Sequence, residues 1–134
     1  MAGHAHPCHR VIPAWLPGFS DTSGEPFIIV NYEPASIVAT VRNEKDTIVA
    51  FVDSLLKQSV KPSEIIIVDG ASTDGTAEIL EGYAKRGDIL LISQDCNIAE
   101  GRNLGIAKAS NSIIAVTDAG CIVTETWLKN ILEC

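Results

Sequence analysis

The segment EIIIVDGASTDGT at residues 64–76 constrains the fold of this chain more than any other stretch. Its four consecutive aliphatic residues are followed at once by Asp69 and Gly70, and a short apolar run that ends at a turn signal is typical of a buried strand. Gly70 and Ser72 are expected to form the turn, and Asp74 stands where its carboxylate can cap the next helix. Asp69 is therefore predicted at the carboxyl end of a buried parallel strand, the edge where open α/β sheets bind ligands.

Strand-like and helix-like segments alternate through the chain from residue 36 onward. Short apolar runs predict strands at residues 37–41, 65–68, 88–93 and 112–117. Apolar residues at three- and four-residue spacing predict helices at residues 48–56, 76–86, 97–109 and 124–133. This alternation is typical of right-handed βαβ units, so we predict an α/β fold, a doubly wound, mostly parallel sheet with helices on both faces.

The order of the predicted strands decides which residues meet. A nucleotide-binding half has the order third, second, first, fourth, which puts the first and fourth strands side by side at a switch point. Residues 40–44 and Asp118 would then face each other across one crevice, with Asp69 next to it. The third strand is expected to bury residues 89–92.

Two glycines, Gly101 and Gly105, lie four residues apart on one face of the third predicted helix. A glycine lets another group approach the backbone closely, and that group is either the sheet beneath the helix or a ligand. The sequence favours neither explanation over the other.

Four segments, in the same order along the chain, resemble motifs of the family 2 glycosyltransferases, which are inverting nucleotide-sugar enzymes of the GT-A fold. They are IVATVRNE at residues 37–44, VDGASTDGT at 68–76, NIAEGRNLGIAKA at 97–109 and VTDAG at 116–120. The resemblance covers residues 36–134. It implies a donor domain of the nucleotide-diphospho-sugar transferase type, which binds a nucleotide-diphosphate sugar for transfer to an acceptor hydroxyl or phosphate.

The resemblance implies that three residues lie close to the base of the nucleotide. Asp69 matches the base-reading Asp of the family, and a carboxylate suits this role because it accepts a hydrogen bond from a ring N–H. Thr40 matches a position that also touches the base. Arg42 stands where the family often has Tyr, and its planar guanidinium can stack on a base in the same way.

Two further residues extend the implied nucleotide-sugar site. Arg102 belongs to the "RN" pair of the family, in which the Arg helps to hold the nucleotide. Glu44 is an acidic residue common at this point in the family, at the predicted start of the first helix. It fits a binding role and, equally well, a favourable charge beside the helix N-terminus.

The segment VTDAG departs from the DxD signature of the family, which is commonly written DADD. The carboxylates of that signature hold the ribose and a divalent metal, Mn²⁺ or Mg²⁺, which neutralises the leaving diphosphate. Asp118 is present here and is the candidate metal ligand, but Gly120 occupies the second acidic position. Metal dependence is therefore left open, and Asp118 is expected to bind the ribose or, alternatively, to cap the turn after its strand.

The charge balance limits the partners of the chain. A formal net charge of -7 argues against nucleic-acid binding, which needs a basic surface. Phosphates can still be held by backbone N–H groups and a metal. No apolar run is long enough to span a bilayer. The four scattered cysteines form no CxxC pair, and this favours a cytoplasmic setting. If other parts of the protein attach it to a membrane, we expect it at the cytoplasmic face.

Residues 1–35 differ from the rest and are expected to form a poorly ordered leader with a short extra strand at residues 27–32. His4, His6, Cys8 and His9 match no standard zinc spacing, so metal binding there is disfavoured. PCHRV at residues 7–11 matches the active-site motif of the O6-alkylguanine-DNA alkyltransferases. Only six residues precede it and the helix-turn-helix of that family is lacking, so we interpret the match as chance similarity.

An inverting glycosyltransferase needs a general base that deprotonates the acceptor. In the family this base follows the DxD strand, and no residue of this chain matches it. We therefore expect the acceptor half and the base to lie outside this chain. We also expect the chain to self-associate through an exposed sheet edge. The alternative is a non-catalytic nucleotide-binding or interaction module on the same half-fold. A flavodoxin-like receiver is a third interpretation, but it needs neither the turn at residues 72–75 nor the RN pair.

Overall fold

The computed structural model describes residues 9–13 and 28–133. Most of the predicted leader, with His4, His6 and Cys8, lies outside these residues. Within the described ranges, strands and helices follow one another as β1 (His9–Pro13), β2 (Ile28–Tyr32), β3 (Ala35–Val41), α1 (Ile48–Leu56), β4 (Glu64–Asp69), α2 (Thr76–Lys85), β5 (Leu90–Ser93), α3 (Ile98–Lys108), β6 (Ile113–Asp118) and α4 (Trp127–Leu132).

The chain divides into two units, and the smaller one contains residues 1–33 and 132–134. In this unit β1 pairs antiparallel with β2, from His9 opposite Tyr32 to Pro13 opposite Ile28. The sequence predicted β2 as the short extra strand but did not predict β1. The segment HRVIP has no alternation of apolar and polar residues, so its strand conformation depends on pairing with β2 rather than on a local signal.

The larger unit, residues 34–131, contains a four-stranded parallel sheet with the order β5-β4-β3-β6. This confirms the predicted order of third, second, first and fourth strand. In the register, Thr40 on β3 lies opposite Val68 on β4 and Asp118 on β6. The carboxyl ends of the three strands therefore meet at one edge of the sheet.

Burial distinguishes the central strands from the edge strands. All of β3 is buried, and so is β4 from Ile65 onward, as expected for parallel strands that are covered on both faces. The prediction that residues 89–92 are buried is wrong for Leu90, which is 48% exposed, while Leu91 and Ile92 are half-buried. The reason is that β5 is an edge strand, so a neighbouring strand covers it on one side only.

Both faces of the sheet are covered. On one face α3 packs on β3 and β4, where Val38, Ile66 and Val68 form a small buried cluster. On the opposite face Ile37 and Ile67 are also fully buried. The helices α1 and α2 contribute the buried residues Ile48, Phe51, Val52, Leu55, Leu80 and Tyr83.

Polar contacts join the helices to each other. The Tyr83 hydroxyl donates to Asp53 Oδ1 at 2.8 Å and connects α2 to α1; burial of the phenol raises the pKa of Tyr83 to about 12. The buried Gln58 donates to the carbonyl of Thr124 at 2.7 Å and accepts from the N–H of Leu128 at 2.8 Å. These bonds fix the start of α4, which begins at Trp127 rather than at the predicted residue 124.

Glu64 organises the amino-terminal edge of the sheet, opposite to the crevice. Its carboxylate accepts hydrogen bonds from the Ser36 hydroxyl at 2.6 Å and from the backbone N–H of Ser110. These hydrogen bonds lower the pKa of Glu64 below its ordinary value of 4.5, and the bond from Ser110 has the largest effect. None of the helices in the described ranges is both long and apolar enough to cross a membrane.

Candidate functional site

A cleft of about 590 Å³ opens at the carboxyl ends of the central strands. Its walls are the ends of β3, β4 and β6, the loops that follow them and the first turn of α3. Four of the six predicted site residues line it: Thr40, Arg42, Glu44 and Asp118. The structure therefore brings together, in one concave site, residues that are up to 78 positions apart in the sequence.

Asp118 is held by contacts from two elements. The Thr40 hydroxyl donates to Asp118 Oδ1 at 3.2 Å across the β3–β6 pairing. Arg102 on α3 donates from Nη2 to Asp118 Oδ1 at 3.1 Å and to Oδ2 at 3.4 Å. Both side chains of this ion pair reach solvent, with Arg102 39% and Asp118 55% exposed. The carboxylate is thus oriented but still accessible to a ligand in the cleft.

The Arg102 side chain keeps one donor unused. Within the described part of the chain, its Nε is buried and has no hydrogen-bond partner. A buried N–H without an acceptor costs about 1–3 kcal/mol.

Two loops at the mouth of the cleft are joined by backbone-to-side-chain hydrogen bonds. The N–H of Asn43 donates to Ser72 Oγ at 2.9 Å, and the N–H of Thr73 donates to Asn43 Oδ1 at 2.8 Å. The N–H of Glu44 donates to Thr76 Oγ1 at 3.0 Å. The polar residues of the STDGT segment at residues 72–76 therefore fix the loop that carries Arg42 and Glu44.

Asp74 caps the start of α2, as the sequence predicted. Its Oδ1 accepts from the N–H of Thr76 at 3.0 Å, and its Oδ2 accepts from the N–H of Lys45 at 3.2 Å. The Thr76 hydroxyl also donates to this carboxylate and is the largest cause of a lowered pKa of Asp74.

Asp69 is the last residue of β4, as the sequence predicted. It is 1% exposed and does not line the cleft. Its carboxylate accepts hydrogen bonds from the hydroxyl of Ser72 and from the N–H of Ser72, the latter at 3.3 Å. The Asp69 side chain thus organises the turn after β4, and its direct contact with a base stays a prediction.

The next residue, Gly70, lines the cleft where Asp69 does not. The left-handed conformation of this turn falls on Ala71, with φ 63°, and not on Gly70. Gly70 is instead required by a close approach, because a Cβ there would lie 3.1 Å from the carbonyl oxygen of Cys96. The glycine thus keeps the floor of the cleft open.

The start of α3 forms the third wall of the cleft. Asn97 and Glu100 form a capping box, in which Asn97 Oδ1 accepts from the N–H of Glu100 at 2.8 Å and Glu100 Oε1 accepts from the N–H of Asn97 at 3.0 Å. We did not assign Asn97 to the site from the sequence. The spacing of Asn and Glu, three residues apart before a helix, was the signal that would have indicated a fixed helix N-terminus here.

The two glycines of α3 have different surroundings. A Cβ on Gly105 would lie 2.5 Å from Val38 Cγ1, so Gly105 serves close packing of the helix on the sheet. Gly101 also packs on Thr40 and Val68, and it lines the cleft as well. Close packing of the helix on the sheet is therefore seen at both glycines, and the approach of a ligand to Gly101 stays a prediction.

Comparisons with known proteins find relatives that match the chain over all four strands of the parallel sheet. The family model described as Glycosyl transferase family 2 matches residues 36–133. The Escherichia coli protein WfaP, a UDP-Glc:alpha-D-GlcNAc-diphosphoundecaprenol beta-1,3-glucosyltransferase, is 36% identical over 99 residues, which are 73% of this chain and 39% of WfaP. The glycosyltransferase GlyG of Streptococcus pneumoniae is 29% identical over 104 residues, 75% of this chain and 35% of GlyG. The chain spans less than half the length of these curated relatives.

Solved structures share the fold. The mannosyltransferase PcManGT from Pyrobaculum calidifontis, in complex with GDP-Man and Mn²⁺, matches with a TM-score of 0.66 and 26% identity over 76% of this chain and 32% of that protein. TarS 1-349 of S. aureus, in complex with UDP-GlcNAc, matches with a TM-score of 0.64 and 23% identity over 73% of this chain and 30% of that protein. The second likeness supports the fold alone.

Proposed function

This chain belongs to glycosyl transferase family 2, and we propose that its cleft binds the donor of a glycosyl transfer, a nucleotide-diphosphate sugar. The observation that carries the proposal is the meeting of Thr40, Asp118 and Arg102 at the switch point between β3 and β6. Ligands of open α/β sheets bind at such a point, outside the carboxyl ends of the strands. The site offers hydrogen-bond acceptors for sugar hydroxyls and a cation for phosphate.

We assign the base of the nucleotide to the end of the cleft near Arg42 and Gly70. Arg42 is exposed, and a guanidinium can stack on the face of a base there. In this proposal Asp69 acts through Ser72, by holding the turn in place, and does not touch the base.

The diphosphate is assigned to the wall formed by α3. The N-terminus of this helix carries a positive partial charge and unpaired N–H groups, which suit phosphate oxygens. Arg102 adds a full positive charge beside Asp118. Asp118 is left to accept from a ribose hydroxyl, in agreement with its partly exposed carboxylate.

A divalent cation is part of the proposal, since PcManGT was solved with Mn²⁺. Asp118 would hold it, together with oxygens of the diphosphate, and the ion would stabilise charge on the departing diphosphate. Within residues 9–13 and 28–133, no three His, Cys, Asp or Glu side chains gather as a ready metal site. The donor set that the protein supplies is therefore small, and the ligand has to complete it.

The transfer step itself needs a general base, which stays a prediction for a part of the protein outside this chain. The cytoplasmic setting also stays a proposal. It is supported by the free thiols of Cys96 and Cys121, neither of which is in a disulfide.

Calorimetric titration of the chain with UDP, UDP-glucose and GDP-mannose, each with and without Mn²⁺, tests the proposal. We expect at least one of these nucleotides to bind, and the Asp118→Ala variant to lose that binding. Asp88→Ala is the matched control. Asp88 forms an ion pair with Arg86, with Asp88 Oδ2 3.2 Å from Arg86 Nε, and this pair lies far from the cleft. Its loss should leave nucleotide binding unchanged. A protein with a folded circular dichroism spectrum that binds none of the three nucleotides would overturn the proposal.

A further inference from the structure

Asn43 lies between Arg42 and Glu44, two residues of the β3–α1 loop that line the cleft. Its φ is 52°, in the left-handed region that most side chains avoid. Asn is one of the few residues besides glycine that adopt this region readily, because its short polar side chain forms hydrogen bonds with nearby backbone. The backbone angles of Asn43 set the orientation of Arg42 relative to Glu44, so this residue shapes the loop at the mouth of the cleft.

Two hydrogen bonds of opposite direction join Asn43 to the turn after β4. The N–H of Asn43 donates to Ser72 Oγ at 2.9 Å, and Asn43 Oδ1 accepts from the N–H of Thr73 at 2.8 Å. The backbone and the side chain of Asn43 are therefore both restrained. A single substitution at this position removes the side-chain bond and, where the new residue disfavours positive φ, the left-handed conformation as well.

Ser72 connects this loop to the end of β4. Its hydroxyl donates to Asp69 Oδ1, and its oxygen accepts from the N–H of Asn43. A hydroxyl can donate one hydrogen bond and accept others, so it holds both partners at once. The buried carboxylate of Asp69 is thus joined, through the side chain of Ser72, to the loop that carries Arg42.

Arg42 is the residue that these bonds place. It is exposed and lines the cleft, and its Cβ lies 3.8 Å from the position that a Cβ on Gly70 would take. The Arg42 side chain therefore starts directly beside the end of β4. An exposed arginine has many side-chain conformers, and ordering them costs conformational entropy. A fixed backbone is the part of this placement that the fold supplies before a ligand binds.

We propose that Asn43 is a positioning residue of the donor site, which ties the β3–α1 loop to the turn after β4 and thereby holds Arg42 at the base end of the cleft. It acts through Arg42, because Arg42 lines the cleft and Asn43 does not. This inference rests on the proposed function, since it requires a nucleotide whose base lies against Arg42. The hydrogen bond between Ser72 and Asp69 then affects nucleotide binding by the same route.

Calorimetric titration of Asn43→Ala with UDP and with GDP tests the inference. The variant loses the bond to Thr73 and favours a negative φ. We expect it to bind the nucleotide about three- to thirtyfold more weakly, within the range of coupling energies between residues in contact. Asn111→Ala is the matched control, because Asn111 Nδ2 donates to Ser36 Oγ at 3.0 Å at the opposite edge of the sheet. It also loses a hydrogen bond of an Asn side chain, but it should bind the nucleotide like the original chain.

A double-mutant cycle with Arg42→Ala distinguishes positioning from a general loss of structure. If Asn43 acts through Arg42, the variant that combines Arg42→Ala and Asn43→Ala should bind as weakly as Arg42→Ala alone. Losses of affinity that multiply in the double variant would overturn the role of Asn43.

Asn43→Gly provides a second variant should Asn43→Ala not fold. Glycine keeps the left-handed conformation and the N–H that donates to Ser72, and it lacks only the acceptor for Thr73. It should therefore also bind the nucleotide more weakly than the original chain. Unchanged nucleotide binding by the folded Asn43 variants would overturn the inference. An original chain that binds neither UDP nor GDP would instead overturn the proposed function.

Discussion

Arg102 on α3 and Asp118 at the end of β6 form an ion pair in which Arg102 Nη2 lies 3.1 Å from one carboxylate oxygen and 3.4 Å from the other. The pair joins a helix on one face of the sheet to the strand at its edge. It also holds a cation next to Asp118, which lines the cleft. Replacing either residue therefore changes the charge that a bound diphosphate meets.

Arg102→Ala should selectively weaken the binding of phosphate-bearing ligands. Hydrogen bonds to charged groups contribute about 1.5–3 kcal/mol, so the affinity for UDP should fall by about 10–100-fold. The affinity for uridine should stay the same, because uridine has no diphosphate. Calorimetric titration with both ligands checks this, with Arg86→Ala, from the distant pair with Asp88, as control. An equal loss for UDP and uridine would show that Arg102 acts by shaping the base end.

Asp69→Asn and Ser72→Ala should have similar effects, because the two side chains act as one unit in the turn after β4. Each variant removes or weakens a buried hydrogen bond, at a cost of about 1–3 kcal/mol in the free energy of unfolding. Their effects should be clearly non-additive in the double variant, which urea denaturation measures. Uridine affinity distinguishes the roles: if Asp69→Asn abolishes it and Ser72→Ala does not, Asp69 reads the base directly after all.

Gly105→Ala should destabilise the protein by overpacking. The added methyl group would lie 2.5 Å from Val38 Cγ1, and such crowding costs about 1–3 kcal/mol. Gly82→Ala in α2 is the matched control, because nothing lies within 4 Å of a Cβ at that position. It should stabilise the protein by about 0.5–1 kcal/mol through helix propensity. Urea denaturation should therefore show a lower free energy of unfolding for Gly105→Ala and a higher one for Gly82→Ala. Changes of the same sign in both variants would contradict the close packing of α3 on the sheet at Gly105.

Glu64→Gln should make the protein less sensitive to acid. The pKa of Glu64 is lower in the folded chain than its ordinary value of 4.5, so the unfolded chain binds the proton more readily. The carboxylate therefore stabilises the fold above pH 4.5, and this stabilisation is lost as the pH falls through the lower, folded pKa. We expect Glu64→Gln to be less stable than the original chain at pH 7 and the two to converge in acid. If the free energies of unfolding of the original chain and of Glu64→Gln stay parallel from pH 7 into acid, the prediction is contradicted.

The sequence predicted the elements whose signals are local. β3, β4 and β6 are apolar runs that end in turns, and the order of the strands was predicted from that of a nucleotide-binding half. The meeting of Thr40 with Asp118 was predicted for the same reason. The cap by Asp74 was predicted because capping chemistry depends on neighbours in the sequence.

Features that depend on tertiary neighbours were not predicted. The predicted strand order already placed β5 at the edge of the sheet, but its apolar sequence did not indicate that Leu90 would be exposed there. The two hydrogen bonds that the Asp69 carboxylate accepts from Ser72 also depend on how the turn folds. The contact of Glu44 with the position of Gly120 joins two loops that are distant in the sequence. The predicted self-association stays a prediction.

The pairing of β3 with β6 also has a consequence for how the protein is made. Thr40 and Asp118 are 78 residues apart, so a ribosome has to complete β6 before the two walls of the cleft exist. Pairings of this separation form late, because the entropy of closing the loop is lost before the contact is gained. A nucleotide can then bind only the finished sheet. It should slow the unfolding of the protein while leaving its rate of folding unchanged, and stopped-flow kinetics with and without UDP would measure this difference.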